Sequence, residues 1–160
     1  MANYQFYFAL FPKTSLLKIK GGIPKKLNFN NDTGFFGDDS NIYWKNSNID
    51  SSIIITEIDN LISRASWGND ELSYNWKVET NLKDNDVWIS LDENKNFIKE
   101  FYFRVDLRDR KLDFLKNMIN LAQKYNLLLN DYSGNLVAPN FDDVISLIKK
   151  SNSHKNHLKK

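Results

Sequence analysis

The chain has 160 residues, 41% of them hydrophobic and 14% aromatic, a net charge of +2 and no cysteine. That length suits one domain with a core of its own, and the aromatic content argues against a disordered chain. The absence of cysteine excludes a disulfide framework, a thiol nucleophile and any Cys-ligated zinc or iron–sulfur site.

Tyr4, Phe6, Phe8 and Leu10 alternate along residues 4–10, and Ala9 and Phe11 make the opposite side partly apolar. This predicts a strand covered on both faces and ended by Pro12. Residues 14–50 are harder to read. Leu16, Leu17 and Ile19 can form a short element, which Gly21, Gly22 and Pro24 break. The Asn-, Asp- and Gly-rich run from Asn28 to Ser40, around Phe29, Phe35 and Phe36, reads as a long loop. Long loops inside compact domains are often functional.

Ile54, Ile55, Ile58, Leu61, Ile62 and Ala65 share a helical face, which predicts a helix over 52–66, capped near Asp50 to Ser52 and stopped by Gly68. Tyr74, Trp76, Val78 and Thr80 then alternate with polar residues, the pattern of a strand with one wet face. Residues 87–91 and 97–105 read as two antiparallel strands around the turn formers 92–96. On the second, Phe97, Phe101, Phe103 and Val105 are expected on one face; Ile98, Glu100, Tyr102, Arg104 and Asp106 are expected on the other. Leu112, Leu115, Met118, Ile119 and Ala122 predict a helix over about 110–125 with Asp109 as its cap. Residues 127–129 and 136–138 flank a turn at 131–135 and form a hairpin. Asn140 caps a last helix over about 141–150.

No repeat or linker divides the chain, so residues 1–150 are read as one α+β domain and 151–160 as a flexible basic tail. The expected architecture is an antiparallel sheet of about five to six strands with three helices packed mainly on one face. Edge strands in such an open sheet leave pairing with a second chain open, so the choice between monomer and dimer is not readable. The N-terminus shows no leader pattern, and the longest apolar runs, such as 53–55, fall far short of the ~18 residues of a membrane span. The expected location is the cytoplasm, with no membrane partner.

Chemistry is scarce. The two histidines, His154 and His157, both lie in the tail, where a base is not held against a nucleophile. The pairs Asp38/Asp39, Asp84/Asp86 and Asp92/Glu93 sit among turn formers, which explains them without a metal. No phosphate-binding glycine loop or zinc-protease motif occurs. No catalytic residue, metal ligand or cofactor is therefore assigned. Residues 1–30 carry five lysines and no acid, 31–108 carry 15 acids against 8 bases, and 109–160 carry 9 bases against 5 acids. The bases are split between the two ends, which argues against a nucleic-acid partner. The acidic middle suits a basic protein partner.

The candidate partner-binding residues are Phe35, Phe36, Asp38, Asp39, Tyr43, Trp44, Trp67, Asp70, Glu71, Arg104 and Asp106. The aromatics are taken as anchors beside loops, because Trp and Tyr concentrate at interface hot spots. Trp76 and Trp88 lie in strands and are read as packed. Arg104 and Asp106 are read as a polar pair on one strand face. The alternatives are an enzyme using carboxylates such as Asp86, Asp92 or Asp106 with a metal, and a nucleic-acid-binding module.

Several segments carry a family likeness: Trp67-Gly68-Asn69, Trp76-Lys77, Asp86-Val87-Trp88-Ile89-Ser90-Leu91-Asp92, the strand Ile98 to Arg108, and Gly134-Asn135-Leu136-Val137-Ala138-Pro139. Over roughly residues 42–151 the chain resembles small uncharacterised bacterial proteins of the kind found as immunity partners in polymorphic toxin systems. The resemblance implies a cytosolic, non-enzymatic inhibitor of one toxin, and it carries no binding residues over.

Overall fold

A computed structural model of the chain describes residues 4–27 and 40–151. Six strands form one antiparallel sheet: β1 (Gln5–Pro12), β2 (Ser73–Glu79), β3 (Asp84–Leu91), β4 (Ile98–Asp106), β5 (Leu127–Asp131) and β6 (Leu136–Val137), in the order β2-β3-β4-β1-β5-β6. Five helices accompany them: α1 (Lys13–Lys20), α2 (Ser40–Lys45), α3 (Ser51–Leu61), α4 (Asp113–Lys124) and α5 (Phe141–Lys150). The expected α+β class stands, with two more helices than the periodicity predicts.

β1 lies between β4 and β5 with apolar clusters on both of its faces, and seven of its eight residues are buried. Phe6, Phe8 and Leu10 join Trp76, Val87, Ile89, Phe101, Phe103, Val105, Leu127 and Leu129 on the inner face. The three expected helices cover this face: Ile54 and Ile58 from α3, Leu115, Met118 and Ile119 from α4, Val144 and Ile148 from α5. Their apolar spacing leaves each helix one stripe to bury, and the sheet is the surface that takes it. On the outer face a smaller cluster of Ala9, Phe11, Leu16, Leu27, Tyr43 and Leu128 packs under α1 and α2, and α2 also sends Trp44 into the inner cluster.

The ends of the elements follow local chemistry. Asp50 accepts from the Ser52 N–H to cap α3, and Asn140 accepts from the Asp142 and Asp143 N–H groups to cap α5. α4 departs from expectation. It starts at Asp113 behind Leu112, which is left-handed at φ 50°, while Asp109 caps only the preceding turn through the Lys111 N–H. α3 stops at Leu61, five residues short of the predicted end. Residues 63–65 instead run along β2, where the Ala65 N–H donates to the Asn75 carbonyl and the Lys77 N–H to the Ser63 carbonyl.

That segment covers the middle of one sheet edge. Residues 25–27 do the same at the other, with the Leu136 N–H donating to the Lys25 carbonyl and the Leu27 N–H to the Gly134 carbonyl. Gly134 sits at φ 86°, and a Cβ there would collide with the Leu27 carbonyl oxygen. Both edges are thus blunted by irregular chain, which removes much of the template for pairing with a second molecule. A register shift between Ser90 and Leu91 corrects one further expectation. It turns Ile98 into the inner core, although strict alternation places it beside Glu100 on the outer face.

Candidate functional site

The outer face of β2, β3, β4 and β1 carries the polar and aromatic side chains that alternation keeps out of the inner core. Two rows cross it. The register places Lys77 opposite Asp86, Asp86 opposite Arg104, and Arg104 opposite Tyr7. The next row runs Asn75, Trp88, Tyr102, Ala9, Asn130, Leu136.

In the charged row the ions pair with one another. Arg104 donates to both oxygens of Asp86, at 2.8 Å from Nε and 2.6 Å from the terminal nitrogen. Lys77 Nζ lies 2.5 Å from Asp84 and 3.7 Å from both Asp86 and Glu79. Burial pulls the Lys77 ammonium down, but the Asp84, Asp86 and Glu79 carboxylates outweigh it and hold it above its ordinary value. The Asp86 hydrogen bonds raise the Arg104 guanidinium. At the end of the strands Tyr4 donates to Asp84 at 3.4 Å, and Arg108 stacks 3.6 Å above the Tyr4 ring.

The aromatic row is half-buried. Trp88 and Tyr102 are cross-strand neighbours with ring centroids 6.3 Å apart and planes 19° from parallel. Tyr7 packs diagonally on Tyr102 at 5.3 Å, and Tyr132 meets Tyr7 edge-on at 5.9 Å. Burial raises both the Tyr7 and Tyr102 hydroxyls above the ordinary phenol value, and the Glu100 carboxylate adds to the shift of each. Both tyrosines are neutral donors at physiological pH. At the β2 edge the Asn75 side chain donates to the Gly68 carbonyl and the Asn75 N–H to the Asn69 side chain. This ties the loop bearing Trp67, 59% exposed, to the end of the aromatic row.

The sequence-derived candidates divide sharply. Phe35, Phe36, Asp38 and Asp39 lie outside the described residues. Tyr43 and Trp44 are 2% and 1% exposed, so they are core residues and not loop anchors. Tyr43 stands edge-on to Phe11 at 5.6 Å. Trp44 packs on Phe101 at 6.0 Å and donates from Nε1 to the Leu10 carbonyl. The reason is α2, a helix that the polar composition around it conceals and that turns both rings onto the sheet. Asp106 is fully buried and pairs with Arg108, so it offers nothing to a surface and makes no pair with Arg104. Asp70 shapes a turn by accepting from the Leu72 and Ser73 N–H groups, and Glu71 makes an exposed ion pair with Lys95. Trp67 and Arg104 remain at the surface, and the loop that bears Trp67 is tied to Asn75 on the outer face.

Trp88, expected to be packed because it lies in a strand, stacks on Tyr102 and stays partly exposed. The signal for this is its alternation with Val87 and Ile89, which are buried in the inner core. The carboxylates considered for chemistry each have another task. Asp86 holds Arg104, Asp106 holds Arg108, and Asp92 accepts from the N–H groups of Asn94, Asn96 and Phe97 to shape the β3–β4 turn. Among the described residues no group of three or more His, Cys, Asp or Glu side chains is placed to hold a metal ion. No described helix is long and apolar enough to cross a membrane. Compared with protein-family models, curated proteins and solved structures, the chain matches none of them.

Proposed function

We propose that this chain is a cytoplasmic, non-enzymatic protein-binding domain, and that it neutralises a toxin by docking the outer face of β2, β3, β4 and β1 against it. One observation carries the reading: Trp88, Tyr102 and Tyr7 form a half-buried aromatic cluster in mid-sheet, flanked by the ion pairs Lys77–Asp84 and Arg104–Asp86. Aromatic rings supply large contact area with few rotatable bonds, and they dominate interface hot spots. Side chains mounted on paired strands are held in place before a partner arrives, which lowers the entropy lost on binding. Glu100, which no cation of the described residues reaches, suits a basic protein better than a phosphate backbone. The resemblance to immunity partners narrows the partner to a toxin.

The test is co-expression with the product of an adjacent toxin-like reading frame, scored by complex formation and growth rescue. The wild-type chain is expected to do both, and the Trp88→Ala, Tyr102→Ala double variant neither, while keeping its circular dichroism spectrum. A wild-type chain that neither binds nor rescues overturns the toxin reading. A double variant that still binds overturns the surface.

A further inference from the structure

Arg64 shows how this fold seats a guanidinium. Tyr74 and Trp76 lie on one strand with centroids 6.1 Å apart and planes 22° from parallel. Arg64 sits 4.8 Å from the first ring centroid and 4.9 Å from the second, and its Nε and terminal nitrogen donate to Asp59 at 2.5 and 3.0 Å. The arrangement is two nearly parallel rings, one arginine and one carboxylate. Arg108 repeats it in smaller form over Tyr4, with Asp106 as its carboxylate.

Trp88 and Tyr102 have the same ring geometry, 6.3 Å and 19°. Glu100 stands two residues from Tyr102 on the same strand face, and its register partner Ser90 is likewise two residues from Trp88. The Ser90 hydroxyl donates to Glu100 at 3.4 Å. Among the described residues no cation reaches Glu100. Arg104 is committed to Asp86, and Lys77 to Asp84, Asp86 and Glu79, so neither pairs with Glu100. The rings and the carboxylate are in place, and no arginine of the described chain occupies them.

We propose that this site receives an arginine side chain of the protein partner, its guanidinium stacked on Trp88 and Tyr102 and paired with Glu100. Arginine is favoured over lysine because a planar guanidinium stacks on a ring while its edge bonds a carboxylate. Burial raises the hydroxyls of Tyr7 and Tyr102, and the negative charge of Glu100 adds to both shifts, so the carboxylate acts at the place where the cation would enter. The inference rests on the reading of the outer face as a protein-binding surface, and it adds the chemistry of what the partner brings.

The probe is the peptide acetyl-Gly-Arg-Gly-amide, titrated into isotope-labelled protein and followed by NMR. Its twin carries citrulline, which has nearly the same shape and no charge. The arginine peptide is expected to shift the Trp88 indole N–H and the Glu100 and Tyr102 amides to saturation. The citrulline twin is expected to bind at least about fivefold more weakly, and Glu100→Gln to weaken the arginine peptide by about the same factor. Equal binding of the two peptides, shifts that map elsewhere, or indifference to Glu100→Gln overturns the seat. Such a failure is separable from failure of the surface. If the Trp88→Ala, Tyr102→Ala variant still loses the co-expressed partner, the face binds protein and only the arginine seat is wrong.

Discussion

Residues 100–106 of β4 send alternate side chains to two different environments. Phe101, Phe103 and Val105 enter a dry core with 2% exposure or less, closed by three helices. Glu100, Tyr102 and Arg104 stand half-buried on the other side, where Tyr102 meets Trp88 and Tyr7, and Arg104 meets Asp86. The two faces share one backbone and one set of ladder hydrogen bonds, so their difference lies in side chains alone. The inner face gains stability from apolar burial. The outer face holds polar groups that satisfy one another, at small net gain, and keeps aromatic surface accessible. One strand can therefore serve folding and recognition separately, because alternation keeps the two sets of residues from competing.

Substitutions on the two faces should separate accordingly. Phe103→Ala removes a fully buried ring that packs on Phe8 at 5.4 Å and Phe114 at 6.0 Å. It should cost about 3–5 kcal/mol, read as a lower urea midpoint with an unchanged slope. A loss under about 1 kcal/mol would break the comparison, since the inner face would then not be the core. Asp106→Ala should cost about 2 kcal/mol, because it strips the partner from the Arg108 guanidinium and the acceptor from the Arg108 N–H. The guanidinium can still turn to water, which keeps the loss below that of a fully sealed pair. Trp88→Ala should cost least, about 1 kcal/mol in folding, because the ring is half-exposed. The comparison is sharpened if that variant unfolds near the wild-type midpoint yet fails to hold the co-expressed partner. It is broken if stability and binding fall together.

Much of the fold is legible in the sequence, and the reasons are local. The stripe Leu115, Met118, Ile119, Ala122 marks α4 because a helix must bury one face, and Asn140 marks the start of α5 because its side chain caps free N–H groups. The site is much less legible. Tyr43 and Trp44 look like loop aromatics because α2 is six residues long, too short for a periodic pattern to show. Asp106 looks like a surface charge because nothing in its neighbourhood reveals that the Asp106 N–H bonds Asn85 and that its carboxylate is roofed by Arg108. Trp88 looks packed because a tryptophan in a strand usually is.

By itself the sequence determined the α+β class, most of the inner core and the order of most elements. Those follow from hydrophobic periodicity, caps and turn formers, which act over a few residues. Only the tertiary structure decided which aromatics are buried, which carboxylates are already paired, and how the sheet edges are closed. Those properties depend on residues distant in the chain: residues 63–65 against β2, residues 25–27 against β6, Asp86 beside Arg104, and Trp88 beside Tyr102. A partly exposed aromatic pair beside a carboxylate that no described cation reaches is a relation between strands, and no single segment contains it.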